Sequence, residues 1–448
     1  MNKILIKNVT ILTMNKAKEI IENGVVVISG KKIIDIGDSS LESKYKGFFI
    51  IDGNGGILMP GMVNCHSHVS MVAFRSLADD EADRLKKYIL PLEKKLVDKD
   101  LVYNGARYGI CEMLLSGVTT FCDMYFFMDE VGRGLDYYED EVARAASRLG
   151  IRAILGETIV NFPSPDSKEP YEGLAYCKEF IQNWHKNDLI TPAVAPHAPY
   201  TNDSEHLIKA YNLSQKYKVP LTMHVAEMDY EYKKYKEEYN MTPVQYLDSL
   251  GILDKNFIGA HLVLVDHKDL DILEEREVGI SHNIGANSKG AKGVAPAVKM
   301  YKRGMKIGLG TDGPMSGNTL DIMTQMPLVG KIHKLFNSDR TLLPAKDIVE
   351  MATIGGARAL NMEHLIGTIE IGKRADLVIL ETESVNMQPI YDYYSTIVYS
   401  ANPSNVDTVI VNGRIVVKSK KILHVDFNDI RRSLLDMKDK ILSATKEI

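Results

Sequence analysis

Eight short apolar runs recur between Leu58 and about Leu335, and each is followed by a segment with helical periodicity. The runs are ILMPGMVNC, GVTTFCDMY, IRAILGETI, ITPAVAPHA, VPLTMHVA, FIGAHLV, VGISHNI and MKIGLGT. Alternating strand and helix units in this number close an α/β barrel. The sequence therefore predicts an α/β fold with a (β/α)8 barrel over residues 58–364.

Short alternating strands joined by Gly or Asn turns flank the barrel region on both sides. KILIKNVTILT and GVVVISGKKIIDIG precede it, and ADLVILE and VDTVIVNGRIVVK follow it. We expect residues 1–57 and 365–424 to pair into one small composite β-sandwich domain. Residues 425–448 are expected to form a C-terminal helix.

Composition limits the classes of partner. The 448-residue chain has a formal charge of −5, so it offers no general attraction for nucleic acid. Its N-terminus alternates apolar and polar residues and lacks the long apolar segment of a signal peptide or membrane span, so we expect no membrane contact and a cytoplasmic location. Four scattered cysteines indicate reduced core residues rather than a disulfide framework.

Four metal-ligand residue types stand at the C-terminal ends of the predicted strands: His66, His68, His224 and Asp312. Residues two apart on a strand project to the same side, so His66 and His68 can face one ion. Three imidazoles and one carboxylate suit Zn²⁺, Fe²⁺ or Mn²⁺ better than Ca²⁺ or Mg²⁺. We expect one divalent metal, most simply Zn²⁺, which would lower the pKa of a bound water and supply a nucleophile.

The ordered motifs extend beyond these ligands. They are PGMVNCHSH, LADD, ILPLE, GVTTFCDMYF, APHAPY, HVAE, SHN, GLGTDGPMSGN and GTIEIGKRADLVIL. With these motifs the chain resembles the amidohydrolase superfamily, and within it the methylthioadenosine/S-adenosylhomocysteine deaminase group. The resemblance covers nearly the whole length of the chain.

The resemblance implies roles for individual residues. His66, His68, His224 and Asp312 would ligate the metal, and Asp312 would also take a proton from the attacking water. Glu227 would be the proton shuttle, since a carboxylic acid can protonate the ring nitrogen that gains charge during attack. The remaining implied roles are orientation of the nucleophile by His261, binding of ribose hydroxyls by Glu93, contact with substrate by His197, and proximity to the sugar by Ser316.

The implied activity is hydrolytic deamination of a small-molecule adenine nucleoside. Methylthioadenosine, S-adenosylhomocysteine, adenosine and 5′-deoxyadenosine are the candidate types. Activated water would attack the purine C6 and ammonia would leave. The resemblance also implies a homo-oligomer.

Two departures from the family pattern bear on the substrate. Where members commonly carry an Arg in the third strand segment, RAILGET offers Glu157, and an acid in the pocket would repel a carboxylate tail. Where members often carry a Trp before the ILPLE-type motif, this chain has Leu85. PAVAPHAPY contains no Lys that could bridge two metals, which favours a mononuclear site.

Other readings of the same residues remain open. Isolated histidine pairs are often ordinary core or surface residues, Glu227 could merely hold an imidazole, and His282 is a candidate substrate contact. The same site could serve a deaminase or chlorohydrolase of another amino-heterocycle, such as an s-triazine or pterin. A non-catalytic scaffold is a more remote alternative, because such a chain should lack ligands or the shuttle acid.

Overall fold

The computed structural model describes residues 2–81, 84–125 and 138–447, without the side chains of 85 and 86. The strands within these residues form two sheets of eight strands each. They are β1 Lys3–Leu12, β2 Ile20–Ser29, β3 Lys32–Gly37, β4 Phe49–Pro60, β5 Met62–Ser67, β6 Val118–Tyr125, β7 Arg152–Ile159, β8 Ile190–Pro196, β9 Leu221–Val225, β10 Phe257–His261, β11 Gly279–His282, β12 Ile307–Leu309, β13 Leu377–Leu380, β14 Val406–Val411, β15 Arg414–Lys418 and β16 Lys421–Ile422.

Helices alternate with the barrel strands and cover the ends of the chain. The α-helices are α1 Leu41–Lys44, α2 Leu90–Leu96, α3 Lys99–Leu115, α4 Glu139–Leu149, α5 Glu172–Trp184, α6 Ser204–Tyr217, α7 Asp229–Tyr239, α8 Pro243–Ser249, α9 His267–Glu275, α10 Ile284–Lys289, α11 Ala297–Lys302, α12 Ile322–Phe336, α13 Ala345–Glu350, α14 Gly356–Ala359, α15 Tyr393–Tyr399 and α16 Phe427–Thr445. Short 3₁₀ turns lie at Val69–Phe74, Pro199–Thr201, Val385–Met387 and Pro403–Asn405, and π turns at Leu85–Ile89 and Met351–Gly355.

The predicted barrel is confirmed. Strands β5 to β12 lie side by side in chain order, and each paired neighbour is parallel. The ends of the barrel meet where the backbone N–H groups of Thr311 and Asp312 donate to the carbonyl of His66, at 3.2 and 3.0 Å. The Asn64 amide also donates to the Thr311 hydroxyl at 2.8 Å. These contacts bring the first and last barrel strands together.

The first predicted run spans both sheets rather than the barrel alone. Residues 58–60 complete β4, where they pair with β1 and β13, and the barrel begins at Met62. Gly61 lies at this change of sheet, and it leaves no room for a side chain, because a Cβ there would lie 2.0 Å from the Thr119 hydroxyl. The sequence pattern does not reveal where the chain passes from one sheet to the other, because the run is apolar throughout and its residues are buried on both sides of Gly61.

The chain ends form one eight-stranded sheet in the order β16-β15-β14-β13-β4-β1-β2-β3. Strand β1 pairs parallel with β4 and antiparallel with β2, and β13 joins the C-terminal strands to β4. Ile4 and Ile6 pack in a cluster that also contains Leu377 and Ile410 from the other half of the sheet. The two chain ends therefore share a core, as expected for a composite β domain.

A buried ion pair connects the barrel to this sheet. Arg152, the first residue of β7, donates from Nε and Nη2 to the two carboxylate oxygens of Asp376, at 2.9 and 3.2 Å. Both side chains are almost completely buried. Since breaking a buried pair leaves an uncompensated charge, this contact fixes the barrel against the small sheet.

Across residues 2–81, 84–125 and 138–447, no helix combines the length and the apolar character that crossing a bilayer requires.

Candidate active site

Four buried side chains converge at the C-terminal end of the barrel. His66 and His68 come from the end of β5, His224 from β9, and Asp312 from the segment after β12. Each residue offers one ligand atom, and these four atoms all lie within 4.8 Å of one another. His68 Nε2 lies 3.2 Å from His224 Nε2 and 3.3 Å from Asp312 Oδ1. The structure thus brings together the four residues that the sequence nominated as metal ligands.

Backbone carbonyls orient two of these imidazoles. His68 Nδ1 lies 2.7 Å from the carbonyl oxygen of Met124, and His224 Nδ1 lies 2.8 Å from that of His197. A carbonyl can only accept, so each Nδ1 carries the proton and each Nε2 presents a lone pair to the cluster. Such contacts fix the tautomer that a metal-binding histidine needs.

His66 gives the clearest indication that the cluster fits a metal. Its side chain is 1% exposed, and neither ring nitrogen has a hydrogen-bond partner among the described residues. Burial together with neighbouring imidazoles holds the pKa of His66 well below its usual value, so the ring is neutral. A neutral buried imidazole without a partner would be costly unless an ion coordinates it. The donor set of three imidazoles and one carboxylate is a metal site.

Asp312 also belongs to a second cluster of possible metal-binding or hydrogen-bonding side chains. Glu227 and His261 form a three-residue cluster with it, and His261 Nε2 lies 3.7 Å from Glu227 Oε1 and 3.9 Å from Asp312 Oδ2. His261 and Asp312 both have left-handed backbones, with φ of 74° and 60°. Non-glycine residues adopt this conformation at a cost, and such strain concentrates at functional sites.

Glu227 is an ionised carboxylate in this arrangement. Burial raises its pKa, but electrostatic interactions with the neighbouring His261 and Lys292 outweigh that effect and lower the pKa to about 2. The backbone is fixed as well, because Glu231 accepts hydrogen bonds from the N–H groups of Ala226 and Glu227 at 3.0 and 2.9 Å. Glu227 is therefore held in place as a base that can accept a proton.

Sequence reasoning missed two residues of the site, Asn287 and Lys292. Asn287 Oδ1 lies 2.9 Å from His261 Nδ1, and the Lys292 ammonium donates to Glu227 Oε1. Both follow β11, in a stretch that carries none of the family motifs quoted above. The signal that the sequence offered for Lys292 was a Lys within the otherwise Gly- and Ala-rich stretch GAKGVAPA.

A cleft of about 330 Å³ opens onto the cluster. Glu93, His197 and Ser316, the three residues nominated as substrate contacts, all line it. Glu93 projects from α2 and is 2% exposed, and His197 Nδ1 lies 3.0 Å from the Thr201 hydroxyl. The apolar part of the wall consists of Met71, Tyr200, Met228, Tyr230 and Met315. The cleft has a polar floor beside the metal ligands and a wall rich in Met and Tyr.

The acid that was expected to repel a carboxylate tail lies elsewhere. Glu157 is not among the described residues that line the cleft. It is buried beside Asp166 and Glu139, and burial followed by the charge of Asp166 raises its pKa well above its usual value. The expected pocket repulsion is therefore not supported by this geometry. The side chain of Leu85, the other departure from the family pattern, lies outside the described residues.

His282 does not line the cleft within the described part of the chain either. Its Nε2 lies 3.0 Å from Nε2 of the buried His333, and burial holds the pKa of His282 well below its usual value. The two imidazoles are neutral and form a hydrogen bond with each other in the protein interior. His282 is thus a structural residue in this geometry rather than the substrate contact that was considered.

The geometry of the site agrees with comparisons to known proteins. A model of the amidohydrolase family matches residues 57–416. This chain belongs to the amidohydrolase family. It is an aminohydrolase-type enzyme with a His, His, His, Asp metal site.

Curated relatives match this chain in sequence over nearly their whole length. A protein named 5-methylthioadenosine/S-adenosylhomocysteine deaminase from Thermodesulfovibrio yellowstonii is 40% identical over 425 residues, which cover 94% of each chain. One of the same name from Aquifex aeolicus is 37% identical over 448 residues and 99% of each chain.

Solved structures have the same fold. An adenosine deaminase from Xanthomonas campestris with bound zinc superposes with a TM-score of 0.92, at 27% identity and over 99% of both chains. A zinc-containing atrazine chlorohydrolase from Arthrobacter aurescens has a TM-score of 0.90 at 23% identity, over 97% of this chain and all of that one. The second similarity concerns the fold alone.

Proposed function

We propose that this protein is a metal-dependent hydrolytic deaminase of adenine nucleosides of the methylthioadenosine and S-adenosylhomocysteine type, with one Zn²⁺ per chain. The observation that carries the proposal is that Glu227 clusters with Asp312, one of the four candidate metal ligands, and lines the same cleft of about 330 Å³ as His68 and His224. Relatives with this printed activity cover 94% or more of the chain at 37–40% identity. Fe²⁺ or Mn²⁺ would also suit the donor set.

The metal would be held by His66, His68, His224 and Asp312. When bound, it would lower the pKa of water toward neutrality and so supply a nucleophile. Its positive charge would also compensate the Asp312 carboxylate, which is buried among imidazoles. The tautomers fixed by the carbonyls of Met124 and His197 keep both Nε2 lone pairs available for that ion.

Glu227 would carry protons between water and the purine. Its ionised carboxylate accepts a proton from the attacking water and delivers it to the ring nitrogen next to C6, where negative charge develops. The hydroxyl that is now on C6 would lose its proton through Asp312 to the amino group, so that ammonia leaves as the C6–N bond breaks and a C6 carbonyl forms. His261, held by Asn287, has its Nε2 3.7 Å from Glu227 Oε1 and would orient the attacking water.

The rest of the cleft would select the nucleoside. Glu93 would accept hydrogen bonds from the ribose hydroxyls, and His197 and Ser316 would contact the substrate. Met71, Met228 and Met315 offer polarizable surface that suits an apolar or thioether group at the 5′ position. Methylthioadenosine fits this wall better than a substrate with an unsubstituted polar 5′ hydroxyl.

Ammonia release from the metal-reconstituted protein tests this proposal. The substrates would be methylthioadenosine, S-adenosylhomocysteine, adenosine, 5′-deoxyadenosine, free adenine, guanine and an amino-triazine, with Glu227→Gln as the inactive control. Turnover of nucleosides that is lost in the control supports the proposal. Activity confined to a free base or a triazine would show that the metal mechanism is right and the substrate class wrong.

A further inference from the structure

Lys292 lies inside the cleft and contacts the residue proposed to carry protons. Its side chain is only 12% exposed and lines the cleft together with Glu227 and Asp312. The ammonium donates to Glu227 Oε1, and Nζ lies 3.8 Å from Asp312 Oδ2. A charged side chain is costly to bury, so its pairing with Glu227 is what makes this position tolerable.

The local backbone aims Lys292 at this position. Its N–H donates to the carbonyl of Asn287 at 2.9 Å, and the flanking Ala291 and Gly293 have φ of 51° and 113°. A Cβ on Gly290 would lie 3.0 Å from Lys292 Cε, so the Lys side chain folds back closely over its own loop. The left-handed residues on both sides fix the backbone direction of this loop, and the contact with Glu227 holds the ammonium in the cleft.

The same short segment places the partner of His261. The backbone carbonyl of Asn287 accepts a hydrogen bond from the N–H of Lys292, and its side-chain Oδ1 lies 2.9 Å from His261 Nδ1. One loop therefore holds the two groups that face the proposed water position, Glu227 through Lys292 and His261 through Asn287. The neighbouring Lys289 serves a different contact, with Asp79 at 2.8 Å.

We propose that Lys292 is a positioning residue that holds the Glu227 carboxylate in the single orientation needed for proton transfer. This inference rests on the proposed deaminase function. A free Glu side chain samples several rotamers, and fixing one of them costs entropy that an ion pair can offset. Because Glu227 must take a proton at one point and release it at another, a displaced carboxylate slows both transfers.

Lys292→Met tests the proposal, because Met is similar in length but cannot donate to Glu227. We expect kcat to fall by about tenfold to a hundredfold while KM changes by about threefold or less. Lys292→Arg, which keeps the charge, should recover part of the loss. Lys299→Met is the matched control, since Lys299 is exposed on α11 and loses the same charge without touching the cleft. Metal content should equal that of the wild type in every variant.

Two further measurements separate positioning from other roles. In a Glu227→Gln background, Lys292→Met should leave the dissociation constant for methylthioadenosine unchanged if the lysine acts only through Glu227. Crystal structures of the zinc-loaded proteins should show one Glu227 conformer in the wild type and a shifted or divided one in Lys292→Met. The structural comparison does not depend on the identity of the substrate.

The outcomes are distinct. An unchanged kcat, or an unmoved Glu227 in the variant crystal, would overturn the positioning role. A weakened substrate affinity in the Glu227→Gln background would also overturn it and make Lys292 a substrate-binding residue. If the wild type released no ammonia from any nucleoside, the proposed function would fail, and the order of Glu227 in the two crystals would still decide whether Lys292 positions it.

Discussion

His68 Nε2 lies 3.3 Å from Oδ1 of Asp312, so the segments that follow the first and the last barrel strand both contribute to the candidate metal site. The backbone repeats this relationship, because the N–H of Asp312 donates to the carbonyl of His66 at 3.0 Å. The backbone contacts that close the barrel therefore also hold His66 and His68 beside Asp312. Metal binding should stabilise the fold as well as supply the chemistry.

Removal of the metal should lower both activity and thermal stability. A chelator is expected to abolish ammonia release and to lower the midpoint of thermal unfolding by several degrees, since an ion that binds only the folded chain stabilises it by mass action. Metal analysis and thermal scans of the chelated and zinc-reloaded protein would measure this. Asp312→Asn should behave like the chelated protein even with excess zinc, and full zinc content in that variant would contradict the assigned ligand set.

Glu227→Gln should retain the metal and lose the reaction. Gln has the same size but cannot carry a proton, so kcat should fall by about a hundredfold to ten-thousandfold. The side chain is not among the four metal-ligand residues, so zinc content is expected to stay at the wild-type level. Steady-state rates with metal analysis provide the test, and a loss of zinc that parallels the loss of rate would mean that Glu227 is needed for the metal.

Asn287→Ala should slow the reaction through His261. The substitution removes the only hydrogen-bond partner of His261 Nδ1 recorded among the described residues, so the ring can rotate or change tautomer. Loss of such a supporting contact typically costs about tenfold to a hundredfold in activity. Asn318→Ala is a suitable control, since Asn318 pairs with Lys289 and Asp79 instead. Equal rates in both variants would show that the orientation of His261 does not limit turnover.

Glu157→Gln should leave substrate preference unchanged. Burial and the nearby Asp166 carboxylate raise the pKa of Glu157 well above its usual value, which favours the protonated form that Gln imitates. We expect the ratio of kcat/KM for S-adenosylhomocysteine and methylthioadenosine to stay within about threefold of the wild-type ratio. A selective gain for S-adenosylhomocysteine would instead place this acid next to the substrate.

Asp321 should make stability depend on pH. It caps α12 through the backbone N–H of Thr324 at 3.2 Å, and burial raises its pKa to about 6 despite the hydrogen bonds from Thr324. The folded chain keeps this proton in a range where the unfolded chain has lost it. The contribution of protonated Asp321 to the free energy of unfolding is therefore complete below about pH 4 and is lost as the pH rises through about 6.

Asp321→Asn isolates this effect, because Asn also caps helices but does not ionise. Thermal midpoints of the two proteins between about pH 4 and pH 7 should converge at the acidic end and separate as the pH rises, with the variant more stable at neutral pH. Parallel curves over that range would show that Asp321 does not titrate with a raised pKa.

Much of the site was predictable because it depends on strand ends. His66 and His68 share one side of a strand by local geometry, and the C-terminal ends of parallel strands meet at one end of a barrel. The ordered motifs then nominated Glu227, His261 and Glu93 without any tertiary information. Their roles came from the resemblance to the amidohydrolase superfamily that these motifs carry.

Lys292 and Glu157 show where such reasoning stops. The sequence around Lys292 does not predict that its side chain turns back over Gly290 toward Glu227. The sequence around Glu157 likewise does not predict that this residue packs against other acids. Both outcomes depend on which side chains from distant segments occupy the adjacent space. If the backbone of either segment were shifted by one residue, the side chain would contact a different neighbour.

The sequence by itself determined the barrel, the small flanking sheet and the four metal-ligand residues, because periodicity and strand-end position are properties of short segments. Tertiary structure alone decided the change from the small sheet to the barrel at Gly61, the partners of His261 and Glu227, and the lining of the cleft. Those features are contacts between residues far apart in the chain, and the free energy of such contacts exists only once the barrel has closed around them.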